Sequence, residues 1–219
     1  MAAVAVLVIS NVVTNRRLPL AAHLPWSLGM AAGLVGLARG AGCTWEELGL
    51  DRRRLRRSIR VGAAAARAVA GGYTVMVATG AGRGLLEDKR VTGLSRREAI
   101  WHLGVSIPIT TVLAEEVAFR GVLPALLDNQ RRPRWLAELA PSLLFGVWHV
   151  LPAWEGTRVN QAVEGSSARA AAIEVGATTL AGGLLHFLRR WTGHLAAPAA
   201  LHLATNILGF VTSRRMNGR

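Results

Sequence analysis

The sequence contains one cysteine, Cys43, one tyrosine, Tyr73, and four phenylalanines in 219 residues. A single cysteine excludes an intrachain disulfide and a cysteine-rich metal site. Acidic residues are half as numerous as basic ones, 13 against 26, and charge of both signs amounts to only 18% of the chain. So little charge, beside 51% hydrophobic residues and a mean hydropathy of +0.31, excludes an ordinary soluble domain and predicts a membrane protein. No Lys or Arg precedes the first apolar stretch, as a secretory signal would require. Internal repeats are absent, as is any low-complexity tract beyond Ala-rich helices. There is no His-Glu-x-x-His zinc motif.

Apolar runs separated by their breakers predict helices over 1–13, 19–38, 61–81, 99–127, 136–153, 171–189 and 194–213. A crossing needs about 20 mostly apolar residues. The chain therefore reads as one all-α domain, residues 1–219, a polytopic transmembrane bundle of about six to eight membrane helices. N-terminal helices and a basic interfacial segment occupy 1–98, and 99–213 holds the polar helices described next. The first segment is short for a full crossing, either a short span or the remainder of a longer one. The stretch from Trp45 through Arg57 is amphipathic and basic at its end, which predicts an interfacial helix. A second basic connector carries Arg83, Lys89, Arg90, Arg96 and Arg97, and a polar loop runs from Glu155 to Ala170.

The net charge of +13 would suit nucleic acid, but the arginines cluster between apolar runs rather than along one polar face. They read as loop charge meeting anionic head groups, so the expected partners are membrane lipids and no nucleic acid. Basic residues divide evenly between the two sides implied by seven spans, so the positive-inside rule assigns no orientation. Cys43, between Gly42 and Thr44 in a connector, reads as an incidental small residue.

Three helices carry polar groups that an apolar helix does not tolerate casually. In the fourth, Glu115, Glu116 and Arg120 interrupt the run. A charge at the bilayer centre costs about 3 kcal/mol on insertion scales, so these groups need partners or a watery cavity. Glu116 and Arg120 are spaced four apart with the acid N-terminal, the favourable order for an ion pair. Glu115 lies about 100° round the helix and is left free to act as a base. The fifth segment places Phe145 and His149 one turn apart, and the last places His202 and Asn206 one turn apart. A lone histidine in an apolar helix is more often a hydrogen-bonded packing residue. Trp148 and Trp154 read as interface markers, and His23, His102, His186 and His194 take the packing reading. Pro108 and Gly104 are positions for a kink or a water path. Together, the three helices supply what peptide hydrolysis requires: Glu115 with His149 to activate water, and His202 with Asn206 to hold the oxyanion.

On these residues the sequence resembles the CPBP family, which includes CAAX prenyl endopeptidases and proteins associated with bacteriocin self-immunity. Its patterns Glu-Glu-x-x-x-Arg, Phe-x-x-x-His and His-x-x-x-Asn, on successive membrane helices, are matched by Glu115, Glu116 and Arg120, by Phe145 and His149, and by His202 and Asn206. The resemblance spans roughly residues 97–213, and the basic segment near 48–60 is also similar. It implies an intramembrane endopeptidase acting on a membrane-associated peptide. Glu115, His149, His202 and Asn206 are then catalytic, and Glu116, Arg120 and Phe145 supporting. The family has also been described as metalloprotease-like, in which case Glu115, His149 and His202 could present three ligands to zinc; a metal-free glutamate mechanism is equally acceptable. The expected location is an integral, multi-pass position in a plasma membrane of bacterial type. The alternative is a non-proteolytic scaffold or immunity-type protein of the same fold. A transporter is disfavoured because paired broken half-helices and repeat symmetry are not evident.

Overall fold

The structure is a computed structural model, and it describes residues 2–80, 88, 91, 93–152 and 167–217. Seven helices account for most of these, and no strand occurs among them. They are α1 (Ala2–Arg16), α2 (His23–Gly40), α3 (Arg52–Thr79), α4 (a continuous helical path from Arg96 to Asn129), α5 (Arg134–Trp148), α6 (Ser167–Thr192) and α7 (Ala196–Asn217). Each of the seven predicted segments coincides with one of them. The predicted end of the fifth segment, with Trp154 and most of the 155–170 loop, lies outside the described residues, as do Arg83, Lys89 and Arg90.

One local expectation is corrected. The stretch from Trp45 is not a separate interfacial helix: residues 45–49 form turns, and the arginines from Arg52 onward are the first turns of α3. The Asp51 carboxylate accepts from the Arg53 N–H at 3.0 Å and caps the start of α3. Nothing between Arg57 and Val61 breaks a helix, so α3 continues to a left-handed Gly80.

α4 starts on a capping box, with Ser95 and Glu98 satisfying each other's backbone N–H groups. From His102 to Leu113, and again from Val117 to Val122, it widens into π-type turns; the Ala114 N–H reaches the Ile109 carbonyl. Pro108 has no N–H to donate and its ring crowds the preceding turn, and a wider turn accommodates both. Glu115 and Glu116 fall in the short α-helical link between the two widened stretches.

Glycines set two of the closest crossings. α3 meets α7 at Gly62, where a Cβ would stand 2.9 Å from the Ala197 Cα. α5 meets α6 at Gly146, where a Cβ would stand 2.8 Å from the Val175 carbonyl and collide with Thr179. α2 and α7 both flank α4, and α1 lies on α2. The main core joins Leu34, Leu48, Phe119, Val122 and Phe145.

Polarity is distributed opposite to that of a soluble bundle. Val8, Leu28, Val75, Leu143, Leu180 and Phe187 are exposed, whereas Glu116 and Arg120 are each 1% exposed. Leu20–Gly40 and Arg52–Thr79 are long and apolar enough to cross a membrane, and α1 is apolar but shorter.

Candidate active site

The site forms where α4 is flanked by α5, α6 and α7. Glu115 and Glu116, consecutive on α4, diverge by the rotation between neighbouring helical residues and so reach different partners. Glu115 turns toward α5, and its Oε1 accepts the Trp148 indole N–H at 3.0 Å. Glu116 turns toward α7, and its Oε1 accepts the His202 Nδ1–H at 2.8 Å. His202 Nε2 stands 3.8 Å from Glu115 Oε2, so one imidazole lies between the two carboxylates.

Arg120, one turn beyond Glu116, brings Nη1 to 3.4 Å from the same Glu116 oxygen. Its guanidinium lies over the Phe145 ring, 3.9 Å from the centroid. Gly182 of α6 makes room for this stack: a Cβ there would stand 3.1 Å from the Phe145 ring and 3.4 Å from Arg120 Nη2. Phe145 in turn meets Phe119, His149 and His202 edge-on, at centroid distances of 5.3, 4.6 and 5.8 Å. It is the apolar hub on which the polar groups are arranged.

Several polar atoms of this cluster are buried without a hydrogen-bond partner among the described residues: Glu115 Oε2, Glu116 Oε2 and both terminal nitrogens of Arg120. Each such atom costs about 1–3 kcal/mol, more when charged.

His149 and Asn206 are placed differently. His149 terminates the regular part of α5 and donates its Nδ1–H to the Phe145 carbonyl at 2.8 Å, leaving Nε2 for other work. It forms no bond to Glu115; the imidazole that reaches the carboxylates is His202. Asn206, one turn beyond His202, stands outside the ion-pair network and lines a cavity of about 350 Å³ with Tyr73, Ile107 and Phe210. A second cavity, about 270 Å³ and almost wholly apolar, lies across Trp148 between α1, α4 and α5 and is lined by Leu7, Val8, Phe119 and Val147.

A metal does not fit these positions. Among the described residues, no group of three His, Cys, Asp or Glu side chains converges to hold an ion. Glu115, His149 and His202 do not form such a group, because His149 is turned to the Phe145 carbonyl and only His202 comes near Glu115.

Trp148 is the participant that sequence reasoning passed over, having read it as an interface marker. A buried indole N–H needs an acceptor, but nothing in the sequence says which acid lies across the helices from it.

The sequence profile described as type II CAAX prenyl endopeptidase Rce1-like matches residues 97–208, just over half of the chain. The chain belongs to that family. No curated protein and no solved structure matches it. The Rce1-like match begins at the second residue of α4 and ends within α7, so it encloses Glu115, Glu116, Arg120, Phe145, Trp148, His149, His202 and Asn206. The family is one of membrane-embedded CAAX-protease-like endopeptidases, and peptidase activity is the class it implies.

Proposed function

We propose that this protein is an intramembrane endopeptidase that cleaves a peptide bond of a membrane-associated substrate, and that its seven helices form a multi-pass bundle. The observation that carries the reading is the buried cluster of Glu115, Glu116, Arg120 and His202 inside an exterior rich in exposed apolar residues. Ionisable groups in such surroundings are retained for chemistry more readily than for packing. Their unpartnered oxygens and nitrogens are the atoms to which a water and a substrate can bind.

Glu115 is the base in this mechanism. Trp148 holds Oε1 and leaves Oε2 to take a proton from water, and the hydroxide adds to the scissile carbonyl. His149 Nε2 is the second group on the water, because Nδ1 is tied to the Phe145 carbonyl. The oxyanion is received by His202 Nε2 and the Asn206 side chain. In the reacting form His202 carries a proton on both ring nitrogens from the outset, so that Nε2–H donates to the oxyanion while Nδ1–H stays bonded to Glu116, and the imidazolium lies between the two carboxylates. The proton held by Glu115 then passes to the departing amine as the C–N bond breaks. Arg120 stands beside Glu116 as its counter-charge and is a positioning residue. The apolar cavity across Trp148 gives a membrane-held substrate lateral access beside Glu115.

The test is cleavage of a panel of membrane-tethered peptides, with and without prenyl groups, by purified protein in nanodiscs. It is run beside folded Glu115→Gln and His202→Ala variants, with and without a zinc chelator. Cleavage by the wild type, lost in both variants and indifferent to chelator, is expected. Cleavage that survives Glu115→Gln refutes the assignment of the base. A chain that performs its biological role unchanged as Glu115→Gln is the non-proteolytic scaffold instead.

A further inference from the structure

We infer that the recess between the 44–51 turn and the start of α3 is a binding site for the phosphate headgroup of an anionic phospholipid. The inference rests on the membrane reading above but not on proteolysis.

The first three turns of α3 carry Arg52, Arg53, Arg54, Arg56, Arg57 and Arg60, all exposed. Arg54 is paired with Glu46. The other five have no carboxylate partner among the described residues. Neighbouring acids are engaged elsewhere: Glu46 by Arg54, Glu47 by the Thr44 N–H and hydroxyl, and Asp51 by the Arg53 N–H. The opposite side of the helix is anchored by Ser58, which is fully buried. Its hydroxyl accepts the Ala197 N–H at 2.8 Å and lies 3.1 Å from the His194 carbonyl it donates to. The basic side is therefore held outward by the fold.

The recess itself, about 710 Å³, is lined by Thr44, Trp45, Glu46 and Leu50 of the turn, by Asp51, and by Arg52 and Arg53 of α3. Its turn wall is rigid. Buried Arg189 of α6 donates to the Glu46 and Glu47 carbonyls at 3.3 and 2.7 Å and packs against Gly49, whose φ of +76° admits no side chain comfortably. The Leu195 N–H closes the turn on the Gly49 carbonyl at 2.9 Å.

Depth and mixed chemistry select a lipid as occupant. At 1.5 Å per residue, the 28 residues of α3 are about 42 Å long against a hydrocarbon core of about 30 Å. The charged first turns therefore project to the level of the lipid phosphates. Trp45, Leu55 and Ile59 are exposed among the arginines, an arrangement suited to the glycerol and acyl boundary and of no use to a soluble polyanion. The occupied recess would also bear on the active site, because the same turn rests on α4: a Cβ on Gly121 would stand 3.1 Å from the Leu48 carbonyl, one residue beyond Arg120.

The test uses full-length protein in a neutral detergent, titrated with short-chain phosphatidylglycerol or phosphatidylcholine and read by native mass spectrometry. The wild type should retain phosphatidylglycerol in preference. Each arginine near an anionic surface contributes about a fivefold preference, so Arg52→Gln/Arg53→Gln should reduce the preference about twenty-five-fold. Arg214→Gln/Arg215→Gln, a basic pair at the end of α7, should leave it unchanged. Equal loss in both double variants would reduce the effect to net charge and overturn the site. Displacement of phosphatidylglycerol by an equal concentration of inorganic phosphate would overturn the headgroup as ligand. Equal retention of both lipids would sink the site while sparing the membrane reading; a chain soluble and lipid-free without detergent would sink the membrane reading itself.

Discussion

Replacing Arg120 with methionine removes one member of an ion pair whose two side chains are each 1% exposed. At 3.4 Å and an effective dielectric constant near 20, the attraction between the charges is about 5 kcal/mol, set against several kcal/mol for desolvating each ion. The net worth of the intact pair is thus small, but breaking it strands Glu116, and such breakage costs about 3–5 kcal/mol. His202 Nδ1 still holds Glu116 Oε1, which favours the lower figure, about 3 kcal/mol or roughly a hundredfold in the unfolding equilibrium. Methionine retains most of the volume over Phe145, so the loss is electrostatic more than steric. Replacing both partners, as Glu116→Gln/Arg120→Met, should recover about 2 kcal/mol of it, while peptide cleavage stays impaired because His202 has lost its counter-charge. Stability is measured by SDS-induced loss of helical circular dichroism in mixed micelles. If Arg120→Met unfolds like the wild type, or if the double variant is no more stable than the single, the buried pair is not the element described here.

Trp148→Phe keeps the edge contact with Phe119 and loses the donor to Glu115 Oε1, so kcat for peptide cleavage should fall about tenfold with the helical fold intact; an unchanged kcat would remove Trp148 from the site. Gly146→Ala places a methyl against Thr179 and the Val175 carbonyl and should lower stability in the same SDS assay by about 1–3 kcal/mol, whereas Gly71→Ala, which meets nothing, should be neutral or mildly stabilising. Ser58→Ala leaves the Ala197 N–H without its acceptor in a fully buried position and should cost about 1–2 kcal/mol. Burial, reinforced by the nearby Glu47 carboxylate, pushes the Cys43 thiol above its ordinary range. Its thiolate is therefore scarce at pH 8, and maleimide labelling should be far slower than for a free cysteine until the protein is unfolded.

The helical fold was legible because apolar runs broken by charge and glycine are local signals, and each predicted segment coincides with a helix. The start of α3 was misread for an equally local reason: an amphipathic stretch ending in a run of arginines looks like a separate interfacial helix. The Asp51 cap is a local signal that the reading missed, whereas the buried Ser58 anchor, which holds these turns in place, depends on α7, far along the chain. Within the site, the Glu116–Arg120 pair was legible as an i, i+4 spacing on one helix. The bonds from Glu116 to His202 and from Glu115 to Trp148 were not, because each joins two helices and depends on how they rotate against α4. Close approaches at Gly146 and Gly182 fix α5 against α6 and make room for Phe145 and Arg120, and these glycines carry no polar signal of their own. Histidine roles were the least legible. Both motif histidines end an i, i+4 or begin one, yet only His202 reaches the carboxylates, while His149 is bound to the backbone of its own helix.

Two adjacent carboxylates in one apolar interior would repel each other if both faced the same way, and the structure avoids this by assigning them different neighbours. Glu116 has two cationic or proton-bearing partners, Arg120 and His202, and neither of its jobs requires it to release or accept a proton. Glu115 has only the neutral indole of Trp148 at hydrogen-bonding distance, and its second oxygen is buried 3.8 Å from His202 Nε2. The asymmetry follows from a single step along the helix, about 100° of rotation, which turns one carboxylate to the arginine and the other to the indole. A scaffold needing only interhelical adhesion would gain from pairing both acids, because each unpartnered charge in a dry interior is costly. On the proposed reading, the open oxygen of Glu115 is the one that takes the proton from water.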